Sequence, residues 1–237
     1  MRKMQLILSI IFRADSERGN KMYKLFIFDL DGTLADTVES IAYSANRSIE
    51  EAGFVPHEVC RYREFAGDGV KALIRRTLVA AGDADLRYYD QVYSRYNKIF
   101  ADNCMYKVSA FEGIQECLDS LKSQGIKIAV LSNKPHDRTV DVVEKLFGKG
   151  YFDIVQGETD SIQRKPSPQG ALMIAEKSQA APGECVYVGD TNTDMITGKS
   201  SKMLTVGVTW GFRDREELEK NHADLIISNP SELLELL

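Results

Sequence analysis

The chain has 237 residues, 43% of them apolar, with 35 acidic against 30 basic side chains and a net charge of −5. That balance suits a globular core and argues against a general binder of nucleic acid or anionic membrane, which needs a basic surplus or stripe. The cysteines Cys60, Cys104, Cys117 and Cys185 show no C-x-x-C spacing and no histidine cluster accompanies them, so zinc is not expected and reduced thiols in the cytoplasm are the simplest reading.

Arg2 and Lys3 precede the apolar run Leu6-Ile7-Leu8-Ser9-Ile10-Ile11-Phe12. The run imitates a signal-peptide core, but it is far too short for a membrane span and no A-x-A-like cleavage site follows. Residues 1–21 are therefore read as a dispensable extension. Residues 24–28 form a short apolar run ended by Asp and Gly, which predicts a buried strand. A helix follows Leu34, with Asp36 as its expected cap, Glu39 three residues on, and Val38, Ile41, Ala42, Ala45 and Ile49 at helical spacing. Helices are predicted over 69–81 and 86–101; in the second, Tyr89, Tyr93, Tyr96 and Phe100 read as a packing stripe. No convincing strand lies between residues 39 and 107.

From Phe111 onward the pattern alternates. Helices are predicted at 113–124, 138–147 and 167–177. Strands are predicted at 126–131, 152–156, 185–188, 203–208 and 225–227. Asn229-Pro230-Ser231-Glu232 starts a terminal helix, with Pro at a favoured first-turn position. Alternation of this kind specifies a parallel sheet with helices on both faces. The expected architecture is an α/β, Rossmann-like core of residues 22–38 and 108–237, with residues 39–107 as an inserted all-helical cap.

Four motifs sit at or near the ends of predicted strands: Asp29-Leu30-Asp31-Gly32-Thr33-Leu34, Ser132-Asn133-Lys134, Lys165-Pro166, and Gly189-Asp190 with Asp194. Ligands of an open parallel sheet bind at the carboxyl ends of its strands. Asp29 and Asp31, two apart, point the same way if the chain stays extended. Gly32 permits a tight turn. Asp190 and Asp194 meet in the same crevice if a helical turn starts there. Such oxygen ligands suit Mg²⁺ better than zinc. Thr33, Ser132 and Asn133 are expected to bind phosphate, and Lys165 adds a compact positive charge. Turn and cap chemistry is the bland alternative for each motif alone.

Taken together and in this order, the set D-x-D-G-T-L, S-N-K, K-P and G-D-x-x-x-D resembles the haloacid dehalogenase superfamily of phosphohydrolases. The resemblance covers residues 22–237. It implies that Asp29 is a nucleophile forming an aspartyl-phosphate, and that Asp31 protonates the leaving oxygen and then activates water. It implies Mg²⁺ between the Asp29 carboxylate, the Asp31 backbone carbonyl and Asp190. Ser132 and Lys165 would hold the phosphoryl group, and Asp194 would support the metal site and the lysine. The cap region is similar to phosphoglycolate phosphatases in Ala66-Gly67-Asp68-Gly69 followed by Arg75-Arg76. Gly67 is then expected to face substrate, and Arg75 or Arg76 to meet its carboxylate. The expected partner is a small phosphate ester such as 2-phosphoglycolate, and the assembly a monomer or homodimer. A β-phosphoglucomutase-like mutase, a pyrophosphatase or nucleotidase of the same fold, and a non-catalytic ligand-binding relative are the alternatives.

Overall fold

The computed structural model describes residues 23–237; the expected extension, residues 1–21, lies outside them. The core is a six-stranded, wholly parallel sheet with the order β5-β4-β1-β6-β7-β8. Its strands are β1 (Leu25–Phe28), β4 (Lys127–Pro135), β5 (Ile154–Glu158), β6 (Cys185–Gly189), β7 (Leu204–Val208) and β8 (Leu225–Ile227).

β1 lies in the middle because it is apolar on both faces and needs cover on both. Phe26 and Phe28 pack with Val130, Val188, Leu118 and Val143 on one side. Leu25 and Ile27 pack with Ala129, Tyr187 and Ile174 on the other. The covering helices include α5 (Ile114–Ser123) and α6 (His136–Phe147) on the first face and α7 (Gln169–Lys177) on the second. After β1 the chain builds outward through β4 and β5, then returns to the other side of β1 with β6. The topological switch therefore falls between β1 and β6, where a crevice opens at the strand ends.

Between β2 (Ala35–Asp36) and β3 (Ser109–Ala110) the chain makes only helices and turns: α1 (Val38–Glu50), a 3₁₀ turn, α2 (Tyr62–Phe65), α3 (Val70–Ala80) and α4 (Tyr89–Asn103). The two short strands pair antiparallel, so the insert leaves and re-enters the core through one ribbon. The insert has its own apolar cluster, in which Ile41, Ile49, Leu73, Ile74, Tyr96 and Phe100 meet. Tyr96 and Phe100 belong to this packing, stacked at 5.2 Å. Phe212 reaches into the cluster from the loop after β7.

The structure departs from the sequence reading in several places. Thr37 stands at the N-cap position of the first helix of the insert but its side chain makes no capping bond, whereas Asp36, one residue earlier in β2, accepts from Val38 N through Oδ1 at 3.4 Å. β4 continues to Pro135, so Ser132, Asn133 and Lys134 are strand residues. β5 runs two residues later than expected because Pro135 still pairs with Glu158 beyond a bulge. The C-terminal Pro230–Leu236 segment is a 3₁₀ helix, begun by Asn229, whose side chain accepts from Ser231 N. All four cysteines are free thiols, and Cys60 alone is exposed. No helix of the described residues is long and apolar enough to cross a membrane.

Candidate active site

The crevice is built from the strand ends upward. Asp29 N donates to Val188 O at 2.9 Å, which extends the β1–β6 ladder by one residue and sets Asp29 beside Gly189. Asp29 Oδ1 accepts from Leu30 N at 2.7 Å and lies 2.8 Å from Lys165 Nζ. Both contacts fall on Oδ1, and among the described residues none donates a hydrogen bond to Oδ2. Asp190 follows β6. Its Oδ1 accepts from the Thr33 hydroxyl at 2.9 Å and its Oδ2 from Phe212 N at 2.7 Å. Backbone crowds it from two sides: a Cβ on Gly32 would lie 2.3 Å from Asp190 Oδ2, and one on Gly211 would lie 2.4 Å from Asp190 Cβ.

Asp194 occupies the third position of α8 (Asn192–Ser200), and it both caps that helix and reaches into the crevice. Its Oδ2 accepts from Thr191 N and the Thr191 hydroxyl, at 3.1 and 2.7 Å. Its Oδ1 takes Lys165 Nζ at 2.8 Å and the Tyr187 hydroxyl at 3.3 Å. Lys165 thus bridges Asp29 and Asp194. Asn133 fixes the loop that carries it: Lys165 N donates to Asn133 Oδ1 at 2.8 Å, and Asn133 Nδ2 donates to Lys165 O at 3.0 Å and to Gly67 O at 3.2 Å.

Asp29, Asp190 and Asp194 can bring carboxylate oxygens within 4.8 Å of one another, and all three are buried. Burial, then the Asp194 charge, pushes Asp29 well above the ordinary carboxylate range against the pull of Lys165. Burial and Asp194 likewise raise Asp190 to about 7. Burial disfavours the charged Lys165, but Asp194 and Asp29 outweigh it and hold the ammonium firmly protonated. Three carboxylates facing one ammonium leave the cluster two positive charges short when all ionise. A divalent cation matches that deficit, and hard carboxylate donors without histidine or thiolate suit Mg²⁺.

An open cleft lies above the cluster. Asp29, Asp31, Ser132, Asn133 and Lys134 line it from the core, and Gly67, Gly69 and helical side chains line it from the insert. Asp31 does not join the three clustered carboxylates: its Oδ1 meets Lys134 Nζ at 2.7 Å. The chain turns after Phe28, so Asp29 and Asp31 face one cleft with different partners.

Several expected ligands have other work. Thr33 is fully buried and spends its hydroxyl on Asp190, so it does not line the cleft. Asn133 lines the cleft, but its amide nitrogen is engaged by two carbonyls. Arg75 is exposed on α3, and Arg76 pairs with Asp68 and donates to Phe65 O at 3.0 Å. Neither arginine lines the cleft. The cation found there, Lys134, was legible in principle: it stands two residues after Ser132, on the same face of an extended chain.

The insert loop at residues 63–69 is tied across the cleft to the core. The Thr193 hydroxyl donates to Asp68 Oδ1 at 2.6 Å, and Arg213 donates to the carbonyls of Arg63 and, at 2.9 Å, Ala66. Burial works to raise Asp68, but hydrogen bonds from Thr193 and Arg76 prevail and lower it, keeping the carboxylate ionised in this clasp.

Comparison with known proteins agrees with this geometry. Residues 26–208 match the family model of haloacid dehalogenase-like hydrolases. The phosphoglycolate phosphatase of Neisseria meningitidis is 32% identical over 215 residues, covering 89% of this chain and 92% of the relative. That of Aquifex aeolicus is 29% identical, covering 90% and 96%. A crystal structure from Lactobacillus delbrueckii subsp. bulgaricus, provisionally assigned as a phosphoglycolate phosphatase, superposes with a TM-score of 0.84 at 32% identity, covering 90% and 98%. The chain belongs to the haloacid dehalogenase-like hydrolases, and its relatives mark it as a phosphatase of that family. A β-phosphoglucomutase from Clostridium difficile shares the fold at 22% identity and a TM-score of 0.70, so the fold alone does not separate hydrolysis from mutase chemistry.

Proposed function

We propose that this chain is a Mg²⁺-dependent phosphomonoester hydrolase that acts through a phosphoryl intermediate on Asp29, with a small carboxylated ester such as 2-phosphoglycolate as substrate. The observation that carries the reading is Asp29 itself: a buried carboxylate at the switch point, anchored through one oxygen, lining the cleft and contacted by Lys165. The names of the relatives supply the substrate class.

In the first step Asp29 Oδ2 attacks phosphorus, the ester P–O bond breaks, and the proton of Asp31 passes to the leaving oxygen. In the second, water gives its proton to Asp31 and attacks phosphorus; the Asp29–phosphorus bond breaks, releasing phosphate and restoring both acids. Splitting one hard displacement into two is the usual gain of a covalent nucleophile. Asp29 and Asp190, with the Asp31 carbonyl, would hold Mg²⁺, which supplies charge to the equatorial oxygens as the phosphoryl group transfers. Lys165 adds to that charge, and the Ser132 hydroxyl lies in the same cleft to orient the phosphoryl group. Asp194 and Asn133 position Lys165. The helical insert serves as a cap that excludes bulk water, which strengthens each of these contacts.

Turnover of 2-phosphoglycolate, glucose 1-phosphate, pyrophosphate and a nucleoside monophosphate, each with Mg²⁺, tests the reading. Release of phosphate fastest from 2-phosphoglycolate, with label trapped on Asp29 after acid quench, is the expected result. Isomerisation of glucose 1-phosphate favours the mutase, a tenfold lead for pyrophosphate removes the carboxylate, and label on any other residue removes the nucleophile.

A further inference from the structure

A phosphatase holds the phosphoryl group of every substrate alike, so selection falls to whatever meets the rest of the molecule. Here that region is a largely apolar wall contributed by the insert: Ile41, Val70, Leu73, Tyr96 and Phe100. Facing it from the core is Lys134, the sole cationic side chain among the described residues that line the cleft. Its side chain is only 3% exposed, and its Nζ lies 2.7 Å from Asp31 Oδ1 and 4.9 Å from the centre of the Phe100 ring. An ammonium carries three donors. Asp31 takes one and the ring face accommodates the charge, which leaves donor capacity toward the cleft.

Lys134 differs in this from Lys165, which is pinned between Asp29 and Asp194 and does not line the cleft. The expected arginines are elsewhere: Arg75 on the outer face of α3 and Arg76 clasped to Asp68. An anion entering next to five largely apolar side chains gives up water, and only a nearby cation restores what it loses. A neutral group loses less there and needs no such partner.

We infer that Lys134 is the specificity-determining residue of the cleft, binding a second anionic group of the substrate, a carboxylate, on the insert side while the phosphoryl group lies against Asp29. The inference rests on the phosphatase reading above and deepens it. Lys134 is not asked to take part in bond making. Its role is to make a carboxylated ester bind more tightly than one that ends in a neutral group.

The test compares 2-phosphoglycolate with 2-hydroxyethyl phosphate, in which a CH₂OH group replaces the carboxylate, using the full chain with Mg²⁺. Wild type should favour the carboxylated ester. Lys134→Met should lower the ratio of kcat/KM values, carboxylated over neutral, on the order of 10- to 100-fold, as expected for loss of one charge-assisted hydrogen bond, and mainly through KM. Lys134→Arg should retain most of the ratio. Lys134→Gln serves the same purpose if the Met variant does not fold. An equal loss on both esters would show that Lys134 only supports Asp31, and an unmoved ratio would show that it reads nothing; either overturns the inference. If wild type turns over neither ester, the phosphatase reading fails. Calorimetric binding of 2-phosphoglycolate then still decides the matter, because equal Kd values for wild type and Lys134→Met remove the role of Lys134.

Discussion

On the core side of the cleft, both oxygens of Asp190 and both of Asp194 accept hydrogen bonds, and glycine backbone closes on Asp190 so tightly that no Cβ fits. On the insert side, the wall is mostly apolar, and its nearest loop is clasped to the core chiefly by Asp68, by Arg213 on backbone carbonyls, and by the Asn133 amide on Gly67 O. One wall is determined many times over by short polar contacts. The other is held by packing within the insert and by a few bonds across the gap. The first arrangement suits chemistry, where small displacements of charge are costly. The second suits selection and substrate entry, where a wall has to yield.

The largest effect should come from attacking the rigid wall. Asp190→Ala removes a carboxylate that the metal would use, and kcat/KM should fall on the order of 10² or more. Exhaustive EDTA treatment of the wild type should do the same, reversibly on adding Mg²⁺. The pH dependence has a definite sign. Metal-free Asp190 is raised to about 7 by burial and Asp194, so the folded chain keeps a proton that the unfolded chain releases near pH 4. Stability of the metal-free protein should therefore decline as pH rises from about 4 toward 7. Because Mg²⁺ competes with that proton, the concentration needed for half-activation should fall as pH rises from 6 to 8. A flat response over that range would mean that Asp190 does not meet the metal.

A smaller effect should follow from crowding Asp190 without removing it. In Gly211→Ala the new methyl would sit 2.4 Å from Asp190 Cβ and 2.4 Å from Gly32 O, both held in place. Overpacking of this kind costs about 1–3 kcal/mol, or roughly 2–4 °C in Tm per kcal/mol for a chain of this size, and Mg²⁺ should bind less tightly. A thermal melt with and without Mg²⁺ measures both. A variant as stable and as responsive to Mg²⁺ as wild type would show that the core wall yields more than its contacts suggest.

The smallest effect is expected on the insert side. Arg213→Ala removes bonds to Arg63 O and Ala66 O, together with a 3.2 Å ion pair to Glu217. Losing the clasp should raise KM severalfold and leave kcat nearly unchanged, within the ~1.5 kcal/mol of an ordinary hydrogen bond. A collapse of kcat would show that the insert loop helps to place the reacting groups and that the two walls act as one.

Much of this was legible in the chain. The strands Leu25–Phe28 and Cys185–Gly189 lie where their apolar runs end in Asp or Gly, and the helices Val70–Ala80 and Ile114–Ser123 fall within a residue of their predicted ends. What escaped had weak local signals. The paired strands Ala35–Asp36 and Ser109–Ala110 have two residues each. Ser132 to Pro135 are polar or proline and still extend β4, because β5 offers a partner there. Phe212 reads as a loop residue, yet its N–H holds Asp190 while its ring packs in the insert.

The sequence by itself determined the class of fold and the acid-rich end of the cleft, since apolar periodicity, turn glycines and acids at strand ends are local properties of a few residues. Only the tertiary structure decided which partner each charge takes. Asp31 meets Lys134 across 103 residues, Asp190 meets Thr33 across 157, and Arg213 meets Ala66 across 147. The same sequence offered Arg75 and Arg76 as cations for the substrate, but folding turned one to solvent, paired the other with Asp68, and set Lys134 in the cleft. The physical reason is that attraction between charges depends on distance and burial, and neither exists until the chain has packed.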